Sequence, residues 1–508
     1  MILKRAQWVS RGMLPILCGG VIALGQAPYS LWWLSVLALS FAIASGVGRG
    51  FFWGWRLGLG YFGLSLLWLA EPFFVDAATV WMAPFAVIAM AGGLALFWGA
   101  AFVGARWYGA VAGAAVGPAA SIVALISLWA AAEWARGVVL TGFAWAHITY
   151  VIEEAPLIQW VSLTGTYGFG LILLLSAALP ALSVAMGRWM GGGIIAMGVA
   201  FGALWIGGES LMGPPSDTQA HVRVIQPNAP QDLKWDPLHY PTFYERALEL
   251  TQAPAAQPLD LIIWPETSYS PRYMRIEQPF DRIVGAAGNV PILVGFVDVT
   301  ADGDVYNTAA QFRSAVQPEH LYRKFHLVPF GEYIPWADVL APFDVFGLAQ
   351  FGGDFSAGSG PEWVQIDGLG RVQILICYEA VFARNVLRGA DRPDVLIHMT
   401  NDAWFGTRSG PYQHLAQARV RAIENGLPVI RAANTGVSAG IDPYGRVVTQ
   451  IPLGHAGLAD IRVPHAAPPT FYSQLGNWPF AALLLMCGLA LAVYAFGSRF
   501  IDRSSKIP

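Results

Sequence analysis

Three polar side chains in one half of the sequence are of types that together support nucleophilic catalysis. Cys377 ends the apolar run VQILIC, Glu266 follows the run LIIWP, and Lys324 lies in LYRKFHLVPFGE. A thiol with an ordinary pKa is only slightly ionised at neutral pH, so its attack on an ester needs a base or a nearby cation. A glutamate held against apolar neighbours can accept the thiol proton, and a lysine can stabilise the oxyanion of acyl transfer.

Each of these residues also has a structural interpretation when it is taken alone. A cysteine in an apolar strand is more often an inert core residue, and Lys324 could be an exposed loop lysine. Glu266 could form a structural salt bridge. These interpretations stay open at this point. Catalysis is favoured because all three residues accompany strand-like runs, and α/β folds place active sites where strand ends meet at one edge of a sheet.

The elements that must position these residues are strands and helices in alternation. Apolar, β-branched runs with a period of two predict strands. Strands are predicted at 222–225, 259–264, 292–296, 308–312, 372–377, 395–399, 429–432 and 447–450, and helices at 241–250 and 413–425. This order indicates a layered α/β or α/β/β/α domain, and about 250 residues are enough to bury a full core.

The composition of the whole chain is that of a membrane protein with one substantial soluble part. Of the 508 residues, 55% are hydrophobic and only 12% are charged. Seven apolar spans are predicted before the soluble region, and an eighth follows it. The spans are 12–25, 31–46, 57–70, 79–103, 110–132, 157–186, 191–207 and 478–496. We therefore expect three parts: a transmembrane domain at 1–212, a catalytic domain at 213–474, and a last span with its tail at 475–508.

Charge and cysteine content exclude other classes. The net charge of −3 argues against nucleic acid as a partner. Cys18 and Cys487 lie in apolar runs, which leaves Cys377 alone in the polar region and rules out a disulfide framework there. The first apolar run lacks a convincing small-residue cleavage site, so we interpret it as an uncleaved span.

The charged residues of the loops predict the orientation in the membrane. One set of span ends carries the basic residues Lys4, Arg5, Arg11, Arg49, Arg56, Arg106, Arg188, Arg499, Arg503 and Lys506. The opposite loops carry Glu71, Asp76, Glu133, Glu153, Glu154 and Glu209, with Arg136 as the single basic residue. By the positive-inside rule, both termini are cytoplasmic and the soluble region lies outside.

The long loop at 133–160 has two interpretations. Its sequence includes EWARGVVLTGFAWAHITY, which is too polar to cross a membrane and too aromatic for a plain linker. Aromatic residues favour the lipid headgroup zone, so the loop could lie along the outer interface. Alternatively, its aromatic residues could pack against the helices.

The three blocks resemble the nitrilase superfamily, whose Glu–Lys–Cys triad lies on an α/β/β/α sandwich. WPE, YRKFHLVPFGE and ICYE match its blocks in order, and NDAWFG resembles the stretch that follows. With about eight spans around such a domain, the chain is similar to the apolipoprotein N-acyltransferase family. Further similar segments are APYSLWWL, EWARG, TGFAW and QPNAPQDLKWDP. The resemblance implies a polytopic α-helical membrane domain joined to a nitrilase-like sandwich.

The resemblance also implies roles for individual residues. Cys377 would be the nucleophile that carries an acyl chain as a thioester, Glu266 the general base, and Lys324 the cation that stabilises the tetrahedral intermediate. The residues that support the triad in this family correspond to Glu332, Tyr378, Glu379 and Trp235. Neither a metal nor another cofactor is implied.

The implied reaction is a ping-pong acyl transfer between two lipid substrates in the bacterial inner membrane, with the catalytic domain in the periplasm. The donor would be a phospholipid, most simply phosphatidylethanolamine, and the acceptor the α-amine of a diacylglyceryl cysteine at a lipoprotein's N-terminus. Two other classes remain open. One is a membrane-tethered amidase that hydrolyses a small C–N bond, and the other is a transporter or lipid-binding scaffold with a decayed domain.

Overall fold

The structure, a computed structural model, describes residues 2–112, 117–314, 317–335 and 355–504. Its contacts divide the chain into two compact units. The helical unit comprises Met1–Gly213 with Leu475–Pro508, and the sandwich unit comprises Pro214–Gln474. Of the basic residues used to predict orientation, Lys506 lies outside the described residues.

The helical unit is built from apolar helices joined by short loops and 3₁₀ turns. Its helices are α1 (Ile2–Ala23), α2 (Trp32–Gly46), α3 (Phe51–Ser65), α4 (Ala83–Ala112), α5 (Pro118–Arg136), α6 (Val161–Ala177), α7 (Leu179–Ala185), α8 (Met190–Leu211) and the C-terminal helix Trp478–Ser504. Large apolar side chains such as Phe85, Val199 and Val493 are exposed on their surfaces. Exposing this much apolar surface to water is unfavourable in free energy, so the surface is typical of helices that contact lipid.

Several of these helices are long and apolar enough to cross a membrane. Within the described ranges, five segments meet that criterion: Val80–Ala112, Pro118–Arg136, Pro156–Ala177, Met190–Leu211 and Trp478–Ala495. A sixth is possible if Phe51–Ser65 and Leu67–Phe74, which are bent by 48°, form one span. Gly12–Ala23 and Trp32–Gly46 are apolar but shorter. The membrane character of this unit is therefore confirmed, and the number of eight spans stays a prediction.

Most predicted spans differ by several residues from the helices of the structure, and two of them are divided differently. Residues 110–112 belong to α4, so the predicted span at 110–132 is wrong at its start, and α5 begins at Pro118. The predicted span at 157–186 is divided between a 3₁₀ turn, α6 and α7. Pro180 lies in the first turn of α7, and it lacks the N–H that would continue the hydrogen bonding of α6.

The loop after α5 packs inside the helical unit over much of its length. Residues 144–152 are all buried. Arg136, at the end of α5, donates hydrogen bonds to the carbonyl oxygens of Phe143 at 2.8 Å and Ala146 at 2.9 Å. Glu133 accepts the backbone N–H of Ile148 at 3.0 Å. Because buried backbone groups need hydrogen-bond partners, the salt bridge between Glu133 and Arg136 holds the loop in place. The structure thus supports the packing interpretation for these residues.

The sandwich unit alternates strands and helices along the chain. Its elements are β1 (Asp217–Gln226), α9 (Tyr240–Gln252), β2 (Leu261–Ile263), α10 (Pro279–Ala287), β3 (Ile292–Val299), β4 (Val305–Phe312), β5 (His320–Arg323), β6 (Trp363–Ile366), β7 (Gly370–Ile376), β8 (Val395–Thr400), α11 (Gly410–Asn425), β9 (Val429–Ala433), β10 (Ser438–Ile441), β11 (Val447–Ile451), β12 (Gly457–Pro464) and α12 (Phe471–Leu475).

These strands form two six-stranded sheets that pack face to face. The first has the order β12-β1-β2-β3-β4-β5, and the second has the order β11-β10-β9-β8-β7-β6. Buried residues from both sheets, such as Val224, Ile263, Ile374 and Ile397, form one core cluster. Helices α9 and α10 cover the outer face of the first sheet, and α11 covers the second. The predicted α/β/β/α layering is confirmed.

All eight predicted strands overlap strands of the structure, and four strands were not predicted. Strands β7, β8 and β9 pair in parallel, and the first sheet and α11 cover their two faces, which explains their largely apolar sequences. The strands that were missed are β5, β6, β10 and β12. Strands β5 and β6 are only four residues long and lie at sheet edges, so they carry little apolar pattern.

Candidate active site

Cys377 lies immediately after β7 and begins a short 3₁₀ helix, Cys377–Val381. Its φ angle is +49°, a left-handed conformation that costs energy for a residue with a side chain. The side chain is buried, with 6% exposure. Burial raises the pKa of this thiol well above its ordinary value, and the carboxylate of Glu266 raises it further, while Lys324 and a hydrogen bond with Thr400 lower it. The resting group is therefore a protonated thiol that needs a base.

Glu266 lies three residues beyond the end of β2 and is surrounded by hydrogen-bond donors. Its Oε1 accepts from Asn307 Nδ2 at 2.7 Å, and its Oε2 accepts the backbone N–H of Asn401 at 2.7 Å. The ammonium of Lys324 is 3.6 Å from Oε1. The carboxyl group is buried, as the sequence suggested, but its contacts are polar rather than apolar. These contacts fix its orientation.

Lys324 follows β5 directly, and its ammonium is buried between two carboxylates. Its Nζ donates to Glu332 Oε1 at 2.9 Å, and Glu266 lies on its other side. Burial lowers the pKa of Lys324, but Glu332 and Glu266 outweigh that effect and leave it above its ordinary value. Lys324 is therefore a permanent cation, which is the property that oxyanion stabilisation needs.

The structure brings the three predicted residues to one place between the two sheets. Glu266 and Lys324 extend from strands of the first sheet, and Cys377 extends from a strand of the second. The charges of both Glu266 and Lys324 act on the thiol. Glu332 joins the cluster through Lys324 and through Asn307 Nδ2, which is 3.0 Å from Glu332 Oε1. A carboxylate and a cation that act electrostatically on one thiol can support nucleophilic acyl chemistry.

Glu379 links the segment after β5 to the end of β7. Its Oε1 accepts the backbone N–H groups of Phe325 at 2.9 Å and His326 at 3.2 Å. Its Oε2 accepts from Ile376 N at 2.7 Å and from the hydroxyl of Tyr322 at 2.8 Å. Burial raises the pKa of Glu379 to about 7, although these donors favour the carboxylate. Glu379 therefore positions Lys324 relative to Cys377.

Tyr378 and Trp235 belong to aromatic groups beside this cluster. The ring of Tyr378 packs edge-on against Phe382, with centroids 4.9 Å apart, and Phe382 stacks on the ring of His326 at 4.0 Å. Trp235 lies 5.4 Å from Tyr273, measured between ring centroids. These contacts give both residues a packing role, an interpretation that the sequence also allowed.

A second buried lysine, Lys234, lies beside the site and was not predicted. Its Nζ donates to Thr267 Oγ1 at 3.0 Å and to the carbonyl oxygen of Glu266 at 3.4 Å, and it lies 4.9 Å from the ring centroid of Trp235. Burial lowers the pKa of Lys234 to about 7, and Glu266 and Cys377 only partly oppose this change. A single lysine in a loop does not indicate burial or a functional role, although Lys234 directly precedes Trp235, which was predicted to belong to the site.

Behind Cys377 lies a buried polar cluster that the sequence analysis also missed. It consists of His398 on β8, Asp402, His414 on α11 and Arg431 on β9, none of which is measurably exposed. Asp402 accepts from His414, Arg431 and Thr400. The available signal was a histidine in the apolar strand VLIHMT and an arginine in VIRAA, because a charge in a buried strand needs a partner.

The fold and the site together define a class: a membrane-embedded protein with a carbon–nitrogen hydrolase domain of the nitrilase type. The carbon-nitrogen hydrolase family matches residues 222–466. The apolipoprotein N-acyltransferase N-terminal domain matches residues 18–179. An amidase of the nitrilase superfamily from Nesterenkonia AN1 aligns with a TM-score of 0.36 and 18% identity, over 49% of this chain and 92% of that chain.

Curated relatives identify the family within this class. The apolipoprotein N-acyltransferase of Caulobacter vibrioides is 37% identical over 88% of this chain and 87% of its own length. That of Rhodopseudomonas palustris is 33% identical over 94% of each chain. The chain therefore belongs to the apolipoprotein N-acyltransferase family and is an acyltransferase.

Proposed function

We propose that the chain transfers an acyl group from a phospholipid to a lipoprotein through a thioester on Cys377. In the first half-reaction, Glu266 takes the thiol proton as sulfur attacks the ester carbonyl. The negative charge that forms on the carbonyl oxygen is stabilised by Lys324. The C–O bond to the glycerol then breaks, and the leaving alkoxide receives the proton from Glu266. A lysophospholipid leaves and the acyl chain remains on sulfur.

In the second half-reaction the same residues break the thioester and transfer its acyl group to the acceptor amine. The neutral α-amine of an N-terminal diacylglyceryl cysteine attacks the thioester carbonyl of Cys377. Glu266 accepts a proton from the amine nitrogen, and Lys324 again stabilises the oxyanion. The C–S bond breaks, the thiolate regains a proton from Glu266, and the amide product leaves. No proton or electron pair remains unbalanced over the cycle.

The observation that carries this proposal is the buried contact between Lys324 and the two carboxylates, within electrostatic reach of Cys377. A lysine that served only solubility would not be 1% exposed. A carboxylate that only paired with Lys324 would not need separate donors on both oxygens, as Glu266 has. The arrangement supports proton transfer and charge stabilisation around one thiol.

The substrates and the location in the cell belong to the same proposal. We take phosphatidylethanolamine as the donor and the bacterial inner membrane as the location, with the domain at 213–474 in the periplasm. Spans at 1–212 and 475–508 would hold the enzyme beside two lipid substrates. This placement makes physical sense because extracting an acyl chain from the bilayer costs about 0.8 kcal/mol per CH₂.

The direct test is acyl labelling of the purified, full-length protein. After incubation with a phospholipid that carries a labelled acyl chain, we expect label that hydroxylamine removes, as a thioester requires. Cys377→Ala should take up none. Hydroxylamine-sensitive label on Cys377→Ala would contradict the thioester proposal, and Cys18→Ala, which removes a thiol of the helical unit, serves as the matched control.

Dependence on an acceptor distinguishes the proposed acyl transfer from the two other candidate functions. A tethered amidase would release a small amine and would not need a lipid, whereas a lipid-binding scaffold would release nothing. We expect lysophospholipid release that continues over many turnovers only when a diacylglyceryl lipopeptide with a free α-amine is added. Equal turnover with an N-acetylated lipopeptide would count against this proposal, because the blocked amine cannot accept the acyl group.

A further inference from the structure

We infer that His398 and His414 are positioning residues, which hold the Cys377 backbone in its left-handed conformation by donating hydrogen bonds to its carbonyl oxygen. The inference rests on the proposed function, since it assigns a role to residues behind the nucleophile. It concerns a buried cluster that contacts the backbone carbonyl oxygen of Cys377.

The central observation is that two imidazole rings meet one carbonyl oxygen. His398 Nε2 is 3.1 Å from the oxygen of Cys377, and His414 Nε2 is 3.2 Å from the same atom. The two rings are nearly perpendicular, at 84°, with centroids 4.9 Å apart. A carbonyl oxygen has two lone pairs and can only accept, so each contact requires a hydrogen on Nε2. Together they occupy both acceptor positions of this oxygen.

The other nitrogen of each ring is held by a charged partner. Arg431 NH1 is 2.7 Å from His398 Nδ1, and because a guanidinium can only donate, Nδ1 must be the acceptor. His398 is thereby fixed as the tautomer with its hydrogen on Nε2. A carboxylate can only accept, so His414 Nδ1 donates to Asp402 Oδ1 at 2.9 Å, and Asp402 Oδ2 is paired with Arg431. With hydrogens on both nitrogens, His414 is an imidazolium; burial and Arg431 lower its pKa, whereas Asp402 and the Cys377 carbonyl favour this charged form. The two rings therefore share one Arg–Asp pair that sets their orientation.

A role in positioning Cys377 explains this cluster better than a contribution to the stability of the sheet does. All four of its side chains are buried, and desolvating charged groups generally costs more than apolar packing of the same volume. Both of its histidines contact a single backbone atom, the carbonyl oxygen of the residue with φ = +49°. The direction of that carbonyl defines the backbone conformation of Cys377 and hence the position of its sulfur. A misplacement of about 1 Å at a reacting atom can reduce a rate by about 10²-fold.

Replacing each histidine by glutamine or by asparagine distinguishes the contact that Nε2 makes with Cys377 from the contact that Nδ1 makes with Asp402 or Arg431. Glutamine can place its Nε2 where histidine Nε2 was and can donate to the Cys377 carbonyl. Asparagine matches only Nδ1, so it can keep the contact with Asp402 or Arg431 but cannot reach Cys377. The four variants are His398→Gln, His398→Asn, His414→Gln and His414→Asn. For each variant we would measure the single-turnover rate of Cys377 acylation, KM for the phospholipid and the thermal unfolding temperature.

We expect each Asn variant to acylate Cys377 at least about 10-fold more slowly than its Gln partner, with KM unchanged, because only the position of sulfur is disturbed. Alkylation of Cys377 by iodoacetamide, followed by peptide mass spectrometry, should show the same order without any lipid. Equal rates within each pair, or rates that follow the unfolding temperature, would overturn the inference. Failure of Gln and Asn variants alike to fold would also overturn it, since Gln keeps the donated bond.

The same experiment keeps this inference apart from the proposed function. If wild-type protein takes up no acyl group from phospholipid, the proposed function fails whatever the histidine variants do. If wild-type protein is acylated and the variants within each pair do not differ, only the positioning role of the histidines fails.

Discussion

At the scale of single residues, Glu332 raises the pKa of Lys324 more than Glu266 does. Glu332 Oε2 also accepts the backbone N–H of Val328 at 2.7 Å, which keeps the carboxylate in place beside the ammonium. Glu332 therefore sets both the position and the charge of Lys324. Its role is electrostatic, because its carboxylate contacts Lys324, Asn307 and the backbone of Val328.

Glu332→Gln should lower the rate of Cys377 acylation by about 10²-fold, the size expected for weakening one oxyanion-stabilising group. The neutral amide removes the nearest charge that raises the pKa of Lys324 and presents an NH₂ group toward a donor. The measurement is single-turnover labelling with a phospholipid at saturating concentration. Glu319→Gln, at an exposed glutamate just before β5, is the matched control. A rate within threefold of wild type would contradict this role.

Lys234 predicts a pH dependence of stability. In the folded protein its pKa is about 7, whereas its ordinary value is 10.5. Between these values the unfolded chain binds a proton that the folded protein lacks, so the free energy of unfolding rises with pH in this window. Lys234→Met removes this contribution. The free energy of unfolding of the variant minus that of wild type should therefore be largest below about pH 7 and should fall toward about pH 10.5.

The measurement is denaturant unfolding of both proteins in detergent across this pH range. Arg272→Met, at an exposed cation of the same unit, controls for the loss of a surface charge. A difference between Lys234→Met and wild type that does not vary with pH would show that Lys234 keeps an ordinary pKa in the folded protein.

Sequence reasoning singled out Glu266, Lys324 and Cys377, which the structure brings together, but not the two histidines that contact the Cys377 carbonyl oxygen. Glu266, Lys324 and Cys377 each follow a strand and carry a reactive group, so their types and positions were informative. Lys324 can be buried because its ammonium contacts Glu332 and Glu266. Glu266 is more than fifty positions earlier in the sequence, so no local pattern shows this contact. A histidine in the apolar strand VLIHMT indicates that His398 needs a partner, but the sequence does not show that this partner is the backbone oxygen of Cys377.

At the scale of secondary structure elements, Glu379 connects β7 to the segment that follows β5. One carboxylate satisfies three backbone N–H groups and one hydroxyl, and it is completely buried. The connection matters because the two elements belong to different sheets and carry Lys324 and Cys377. The relative position of these two reactive groups therefore depends on one side chain.

Glu379→Gln should destabilise the protein by about 3 kcal/mol, since a glutamine has one acceptor oxygen for donors that now contact two. Its NH₂ group would also face buried donors. Thermal unfolding in detergent measures the effect, and acylation of Cys377 should fall in the fraction that remains folded. Glu362→Gln, at an exposed glutamate just before β6, should leave the unfolding temperature unchanged. An unchanged unfolding temperature for Glu379→Gln would contradict the linking role.

The central strands were predictable and some edge strands were not, for a physical reason. Strands such as β7 and β8 are largely apolar because the other sheet covers one of their faces and α11 covers the other. Strand β10, with the sequence SAGI, is buried by its neighbours although its own residues have weak strand preference. Its pairing with β9 and β11 decides its structure, and such pairing is not visible locally.

At the scale of the whole molecule, the proposed orientation can be tested by labelling from one side of the membrane. Asp302, in an exposed turn of the sandwich unit, should be outside, and Arg188, exposed after α7, should be cytoplasmic. In intact cells with a permeabilised outer membrane, a membrane-impermeant maleimide should label Asp302→Cys and not Arg188→Cys. After lysis it should label both. The reverse pattern in intact cells would contradict the positive-inside assignment.

The central claim is that this acyltransferase adds the third acyl chain to lipoproteins through Cys377. Its most direct test is mass spectrometry of the N-terminal peptides of lipoproteins from cells depleted of the protein. We expect peptides with a diacylated cysteine and a free α-amine, which become triacylated again when wild-type protein is restored but not when Cys377→Ala is restored. Triacylated peptides that persist unchanged after depletion, or that return with Cys377→Ala, would contradict the claim.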